Sequence, residues 1–430
     1  MPVNTGHRAA GRSAGGGLLR RHRDFRQLWY GETAGKFGVS VTSVLLPLAA
    51  VSVLHAGTLA VSLLNAATWL PWLVIGLPAG VWVDRLRRRT VMLVCDAVSC
   101  ALFLSVPVAA WLGVLGIGQL LLVALLVGSA AVFFQTAYTA YLPTLVSGPD
   151  QAEGNAKLHG SAAAAQIAGV GCGGLIAQAA GAVDGMLTNA ATFLLSFLCV
   201  GRIRHREPPA AASRSGCRTP LLGDVRKGVR LVAHDPYLRS LTLFGAASNL
   251  ALGGCQALLV VFLVRDIGLS SGAVGALVGL GSAGGVLGAL LVRRGAARLG
   301  TARALLLFEL GVPALAPLMA LTRDGAGLAF FVVGYGAVAL GVVAGNIIKA
   351  GFIQGYCPSG VLGRVTACSA FLNYGTLPLG ALLAGGLGTL LGVRPTMWLV
   401  TAAMPLAALI LLWSPIRSRR DLPTREAAPS

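Results

Sequence analysis

The chain is built from long apolar runs, each of about 20 residues, divided by short polar breaks. About 20 mostly apolar residues let an α-helix cross a bilayer. Runs this continuous also exclude a membrane β-barrel, whose strands alternate apolar and polar residues. Twelve such runs occur. The first six are Leu28–Ser52, Leu59–Val83, Val91–Leu112, Ile117–Thr139, Ser161–Ala180 and Ala182–Gly201. The second six are Leu241–Val264, Gly272–Val292, Ala304–Leu321, Ala326–Ala350, Thr366–Leu391 and Pro395–Trp413. The break between the fifth and sixth is the weakest. Composition leads to the same reading. Hydrophobic residues make up 55% of the 430 and charged residues only 11%, where a soluble domain carries about 25%. The expected fold class is therefore an all-α integral membrane protein with 12 transmembrane helices.

The net charge of +19 does not point to nucleic acid, because the basic residues fall in short clusters between apolar runs and form no continuous face. Cytoplasmic loops collect Lys and Arg. If both termini are cytoplasmic, only Arg265, Arg323 and Arg394 of the 34 basic residues lie in outward loops, and Lys36 and Lys349 lie in helices, which leaves 29 inside. The reverse orientation would have to translocate the Arg-rich loop 85–89. The eight cysteines include no CxxC, so neither a zinc site nor a disulfide framework is expected. The first run is too long for a signal-peptide core and has no suitable cleavage site, so it is expected to remain as a membrane helix.

The longest internal polar stretch, 202–240, contains Pro208 and Pro209 and divides the helices six and six. Residues 25–201 and 241–414 are read as two six-helix bundles. Residues 1–24 are read as a disordered basic cytoplasmic tail, 202–240 as a cytoplasmic linker and 415–430 as a cytoplasmic tail. A short echo supports an internal repeat: Gly80 and Arg85 end the second run, and Gly288 and Arg293 end the eighth, each 208 residues later. The most informative motif is Gly80-x-x-x-Asp84-Arg85-x-x-Arg88-Arg89, in the tight turn after the second run. Gly80 leaves room for a close helix approach. Asp84 is placed to meet another helix's N-terminal dipole or to pair with Arg.

That motif resembles the signature loop of the major facilitator superfamily, Gly-x-x-x-Asp-Arg-x-Gly-x-Arg-Arg, with Arg87 where the pattern has its second Gly. Phe25-Arg26-x-Leu28-Trp29-x-Gly31, Leu77-Pro78-Ala79-Gly80, Tyr141-Leu142-Pro143, Glu153-Gly154-Asn155-Ala156-Lys157-Leu158 and Gly363-Arg364-Val365 sharpen the likeness to its drug and macrolide efflux branch. The resemblance runs from residue 25 to about 415. It implies the major facilitator fold, two six-helix bundles around a central cavity, with alternating access and secondary active transport. It also implies that Asp84 latches the second helix to the start of the eleventh near Arg364 in the outward-facing state. Three departures stand out. Val170 replaces a Pro in Gly169-Val170-Gly171, Gln135 stands where an Asp often follows Phe-Phe, and Ala162 stands where an Arg often precedes the Gly-rich stretch. These put coupling through the fourth and fifth helices in question.

An ionised group in mid-membrane needs a partner, an aqueous cavity or an interfacial position. Glu32, Lys36, Asp96, Glu309 and Lys349 are the charges within the runs. Lys349 is expected to snorkel to the near surface, and Asp96 and Glu309 to pair with loop arginines. Glu32 and Lys36 are four apart and share a helix face, on the first helix, which lines the cavity in the resembled fold. They are either a self-neutralised pair or the proton-coupling site with Glu32 as carrier. Burial favours the neutral acid and Lys36 favours the carboxylate. The candidate cavity residues are Asn65, Gln135, Tyr138, Gln166, Asn249, Gln256, Asn346 and Asn373, each equally suited to a helix-to-helix hydrogen bond. Gly169/Gly173, Gly281/Gly285 and Gly385/Gly386 read as close-packing faces.

Gly31-Glu-Thr-Ala-Gly35-Lys36-Phe37 has a superficial likeness to a phosphate loop but is one residue short and lies in a membrane run. No ATP site, metal site or other cofactor is expected, nor any enzymatic activity. The expected function is proton-coupled export of small amphipathic toxic compounds across a bacterial cytoplasmic membrane. The carrier is expected to be monomeric, with a neutral or weakly cationic substrate, protons and membrane lipid as partners and no nucleic acid. The alternatives are a secretion carrier for a siderophore or other metabolite, and a non-transporting receptor or assembly protein on a transporter fold.

Overall fold

A computed structural model describes residues 18–146, 149–205 and 229–423. Among these residues every regular element is helical. After a single turn at Leu18–Arg21 come α1 (Arg23–Val53), α2 (Thr58–Val74 and, past a break at Ile75, Gly76–Arg85), α3 (Arg88–Trp111), α4 (Ile117–Leu145), α5 (Pro149–Ala180) and α6 (Met186–Gly201). The second set is α7 (Pro236–Asp266), α8 (Ser271–Leu299), α9 (Thr301–Leu321), α10 (Leu328–Tyr356), α11 (Ser359–Leu390) and α12 (Val393–Leu412). Each coincides with one expected run. Ten stretches among the described residues are long and apolar enough to cross a membrane. The two shorter apolar helices are Thr58–Val74, with 17 residues, and α6, with 16.

Several helices outlast their apolar runs. α5 starts at Pro149 rather than Ser161, α4 ends at Leu145 rather than Thr139, and α10 ends at Tyr356 rather than Ala350. Apolarity marks the lipid-crossing part of a helix, not its end. The extra turns carry polar side chains that pair at the surface. Glu153 on α5 accepts from the Leu18 backbone N–H at 3.1 Å, and Arg21 lies 3.8 Å from Asp150. Leu18 and Phe25 are fully buried against Gly154, where a Cβ would meet both. The chain is therefore docked from Leu18, and only 1–17 of the expected tail lies outside the described residues. Residues 206–228 of the linker and 424–430 of the final tail also lie outside them. Before those last residues the chain straps the α8–α9 turn: Asp421 accepts from Thr301 N at 2.8 Å and Thr301 Oγ1 accepts from Leu422 N at 2.8 Å. At that turn Gly300 has φ +88°, and its missing Cβ leaves space for the Arg420 carbonyl.

α9 is irregular. It widens into a π turn at Leu307–Gly311 and tightens to 3₁₀ over Pro313–Leu321. Pro313 and Pro317, four apart, have no N–H to donate, so each removes a rung of the α ladder here. α7 is capped by Asp235, whose side chain accepts from Tyr237 N and Leu238 N, with Pro236 at the first helical position.

The three larger clusters of the apolar core define the state of the molecule by their layout. At the end carrying both chain termini, each half has a separate cluster. One includes Phe25, Met92, Tyr141 and Val200, and the other includes Phe244, Phe308, Ile348 and Leu411. At the opposite, far end a single cluster runs through both halves, joining Val44, Val61 and Met186 to Leu258, Val274 and Met397. The halves are thus sealed together at the far end and parted at the termini end.

Candidate functional site

Small residues build the far-end seal. α5 crosses α8 where Gly174 faces Gly275, so closely that a Cβ on either would strike the other's backbone. Gly279 continues that contact: a Cβ built there would lie 3.0 Å from the Gly171 Cα. α2 meets α11 where Gly385 leaves room for the Ser62 side chain, 2.5 Å from its would-be Cβ. Arg265, at the end of α7, donates to the Ala56 carbonyl at 2.6 Å, tying the α1–α2 and α7–α8 connections across the two halves. His55, just before Ala56, has φ +49° and is the one non-glycine residue with positive φ among those described.

On the termini side of this seal lies a cavity of about 420 Å³, a volume that suits a drug-sized ligand. Its wall comes from α7, α9, α10 and α11 of the second half. Asn249, Asn346, Asn373, Gln354, Thr366 and Ser369 give it a polar face, and Leu252, Val342, Ile353 and Tyr374 an apolar one. Gly245 leaves room for the Asn373 amide, whose nearest atom lies 2.6 Å from a Cβ built there. The Asn373 Oδ1 is buried and has no hydrogen-bond partner among the described residues. Tyr374 stacks on Trp69 of α2 at 6.0 Å between centroids, so the far limit of the cavity is an aromatic contact between the halves.

Four of the five charges within the runs form two ion pairs. In the first half, Lys36 Nζ lies 3.3 Å from Glu32 Oε1 and donates to Gln135 Oε1 at 3.1 Å. Glu32 is buried while the Lys36 side chain is 40% exposed. In the second half, Lys349 Nζ lies 2.8 Å from Glu309 Oε1 and 5.0 Å from the centroid of the Phe244 ring. Gly345, one turn before Lys349, opens the niche for the Glu309 carboxylate, which a Cβ there would strike. Two expectations are corrected here. Lys349 does not snorkel, and Glu309 does not reach a loop arginine. Their shared cavity wall neutralises both at closer range. Asp96 likewise meets no loop arginine among the described residues; it is buried and accepts from Ser196 Oγ at 2.7 Å.

The expected cavity residues divide. Asn249, Asn346 and Asn373 line the cavity. Gln135 is held by Lys36 instead. Tyr138 is buried in the first half's cluster and stacks on Phe134. Asn65 lies off the cavity with its Oδ1 buried. Gln166 is exposed, and Gln256 is partly buried outside the cavity. Of the gate motif, Arg89 caps α6 by donating to the Val200 and Gly201 carbonyls at 3.2 and 2.5 Å, a contact within one half. Arg85 is exposed and Arg88 half-buried. Arg364 sits in the first turns of α11. The Asp84 side chain lies outside the described residues. The expected close approach at Gly80 is corrected: a Cβ there would meet nothing within 4 Å, because this end is parted. Its counterpart Gly288 does pack: a Cβ built there would lie 2.5 Å from the Leu340 carbonyl oxygen. Of the paired glycines, Gly386 also faces open space, while its five companions pack.

Comparisons with known proteins agree with this geometry. The profile of the transmembrane secretion effector family matches residues 19–428. The multidrug efflux pump Tap of Mycolicibacterium fortuitum is 27% identical over 411 residues, which cover 91% of this chain and 96% of that protein. Tap of Mycobacterium tuberculosis is 28% identical over 375 residues, covering 84% and 86%. Among solved structures, the nucleoside transporter NupG superposes with a TM-score of 0.72 at 12% identity, over 91% of this chain and 98% of that one. A bacterial homologue of the iron transporter ferroportin, in an inward-facing state, superposes at 0.73 with 18% identity, over 94% and 100%. These likenesses show the major facilitator fold of two helical bundles around a central cavity.

Proposed function

We infer that this chain, which belongs to the transmembrane secretion effector family of major facilitator transporters, is a proton-coupled exporter of small amphipathic toxic compounds. The observation that carries the reading is the pairing of a sealed far end with a cavity on the termini side. A carrier so arranged takes its cargo from one face only. With both termini in the cytoplasm of a bacterial cell, as the 29-to-3 distribution of basic residues favours, that face is the cytoplasm. Relatives of matching length are named multidrug efflux pumps, which favours outward movement of cargo.

In the proposed cycle the bundles 25–201 and 241–414, joined by the linker 202–240, rock about the cavity as a monomer. The seal at Gly174 and Gly275 parts as the termini end closes. Asp84 then reaches the start of α11 near Arg364, with Gly80, Arg85 and Arg88 in the closing surface. Glu32 is the proposed proton carrier: it is buried, and its cationic neighbour Lys36 has Gln135 as a second partner to turn to. Reconstituted vesicles with an imposed pH gradient test this. Glu32→Gln is expected to abolish uphill efflux while downhill exchange persists. Full uphill transport by Glu32→Gln would remove Glu32 from the mechanism.

A further inference from the structure

The expectation of neutral or weakly cationic cargo rests on a wall of amides, Tyr and aliphatics, and the structure adds a cation to that wall. Lys349 lines the cavity with its side chain 19% exposed, and Glu309 lies behind it at 4%. A molecule arriving from the cavity therefore meets the ammonium before the carboxylate. The Glu309 carboxylate is confined to the Gly345 niche and meets Lys349 through one oxygen, Oε1, at 2.8 Å. The ammonium thus retains donor capacity, since Lys carries three N–H groups. Glu309 is the one acid among the lining residues, and the rest of the polar wall is uncharged. The Phe244 ring, its centroid 5.0 Å from Nζ, helps hold the Lys349 ammonium in the wall. The first half repeats the arrangement, with Lys36 as the exposed member and Glu32 as the buried one.

We propose that Lys349 anchors a site for amphiphiles that carry an acidic group. The acidic group docks on the Lys349 ammonium, and the apolar body lies against Leu252, Val342 and Ile353. This names the cargo class of the proposed exporter and rests on that reading.

Binding is measured by fluorescence titration of the full chain in lipid nanodiscs, with empty nanodiscs subtracted. The probes are 8-anilinonaphthalene-1-sulfonate and N-phenyl-1-naphthylamine, the same ring system with and without an anionic group. Lys349→Met is expected to weaken the sulfonate probe about tenfold, equivalent to about 1.4 kcal/mol, and to leave the neutral probe within about twofold. Lys349→Arg should keep the sulfonate affinity. Glu309→Gln should raise it, because a competitor for the ammonium has gone. Removing one member of a buried pair can prevent folding, so the double variant Glu309→Gln with Lys349→Met is measured as well. It leaves no buried charge and is expected to show the same selective loss. Equal weakening of both probes, or of neither, in the single or the double variant overturns the proposal. Transport without this selectivity would remove the proposal alone, and selectivity without transport would remove the exporter reading alone.

Discussion

A single methyl group at Gly174 would test what holds the carrier in the observed state. A Cβ there lies 2.6 Å from Gly275 N and 2.7 Å from Ser271 O, and closer still to the Gly275 Cα. Non-bonded carbons rest at about 3.5–4.0 Å, so the overlap is about 1 Å. Every atom in the way is backbone, and no side chain can swing aside. Overpacking of this kind costs about 1–3 kcal/mol. The cost exists only while α5 and α8 are in contact and vanishes once the far end opens. Gly174→Ala therefore shifts the balance from sealed to open far ends by about 5- to 150-fold. Hydrogen exchange on the purified chain in nanodiscs reads this without introduced thiols. Peptides spanning 54–62 and 271–279 should exchange faster, and those spanning 80–90 and 362–370 should exchange more slowly as the termini end closes. Unchanged exchange at the far end, or faster exchange at both ends, would refute the wedge argument and the reciprocal motion behind it.

Three further outcomes are expected. A Cys introduced at Ser271 should react with an impermeant thiol reagent applied outside the cell and one at Ser213 should not, with labelling read by mass shift. Asp84→Asn should insert normally, by membrane abundance, yet transport at least about tenfold more slowly, the kinetic equivalent of about 1.4 kcal/mol; untouched efflux would make Asp84 a simple loop residue. Gly345→Ala should push the Glu309 carboxylate out of its niche and lower stability by about 1–3 kcal/mol, seen as a lower Tm. In the Gly345→Ala/Glu309→Ala double variant the combined loss should fall short of the sum of the two single losses.

The helices were legible because lipid imposes a plain rule: backbone polar groups must be satisfied within the segment, so an apolar run becomes a helix. Their ends were not. The first turns of α5 are polar, and their reason for being helical is the docking of Leu18, Arg21 and Phe25 against them. The family-like motifs proved largely architectural. Phe25 and Leu28 are buried, Trp29 donates to the Lys157 carbonyl at 3.4 Å, and Glu153 receives Leu18 N. The cavity was half legible. A polar residue in an apolar run faces either another helix or a cavity, and spacing alone does not separate Asn249 from Asn65. The Glu309–Lys349 contact joins residues on different helices, which no local pattern encodes. One signal was present: Gly345 and Lys349 share a helix face one turn apart, and a glycine there makes room for a partner beside the lysine.

Net transport against a gradient tests the central claim most directly. Purified chain in nucleotide-free proteoliposomes is given a pH gradient and a panel of radiolabelled neutral, anionic and cationic amphiphiles. At least one should move from the termini side to the far side beyond equilibration, and a protonophore should abolish that movement. Equilibration alone for the whole panel, unaffected by the gradient, would contradict the account and leave a membrane protein with a transporter's fold and another task.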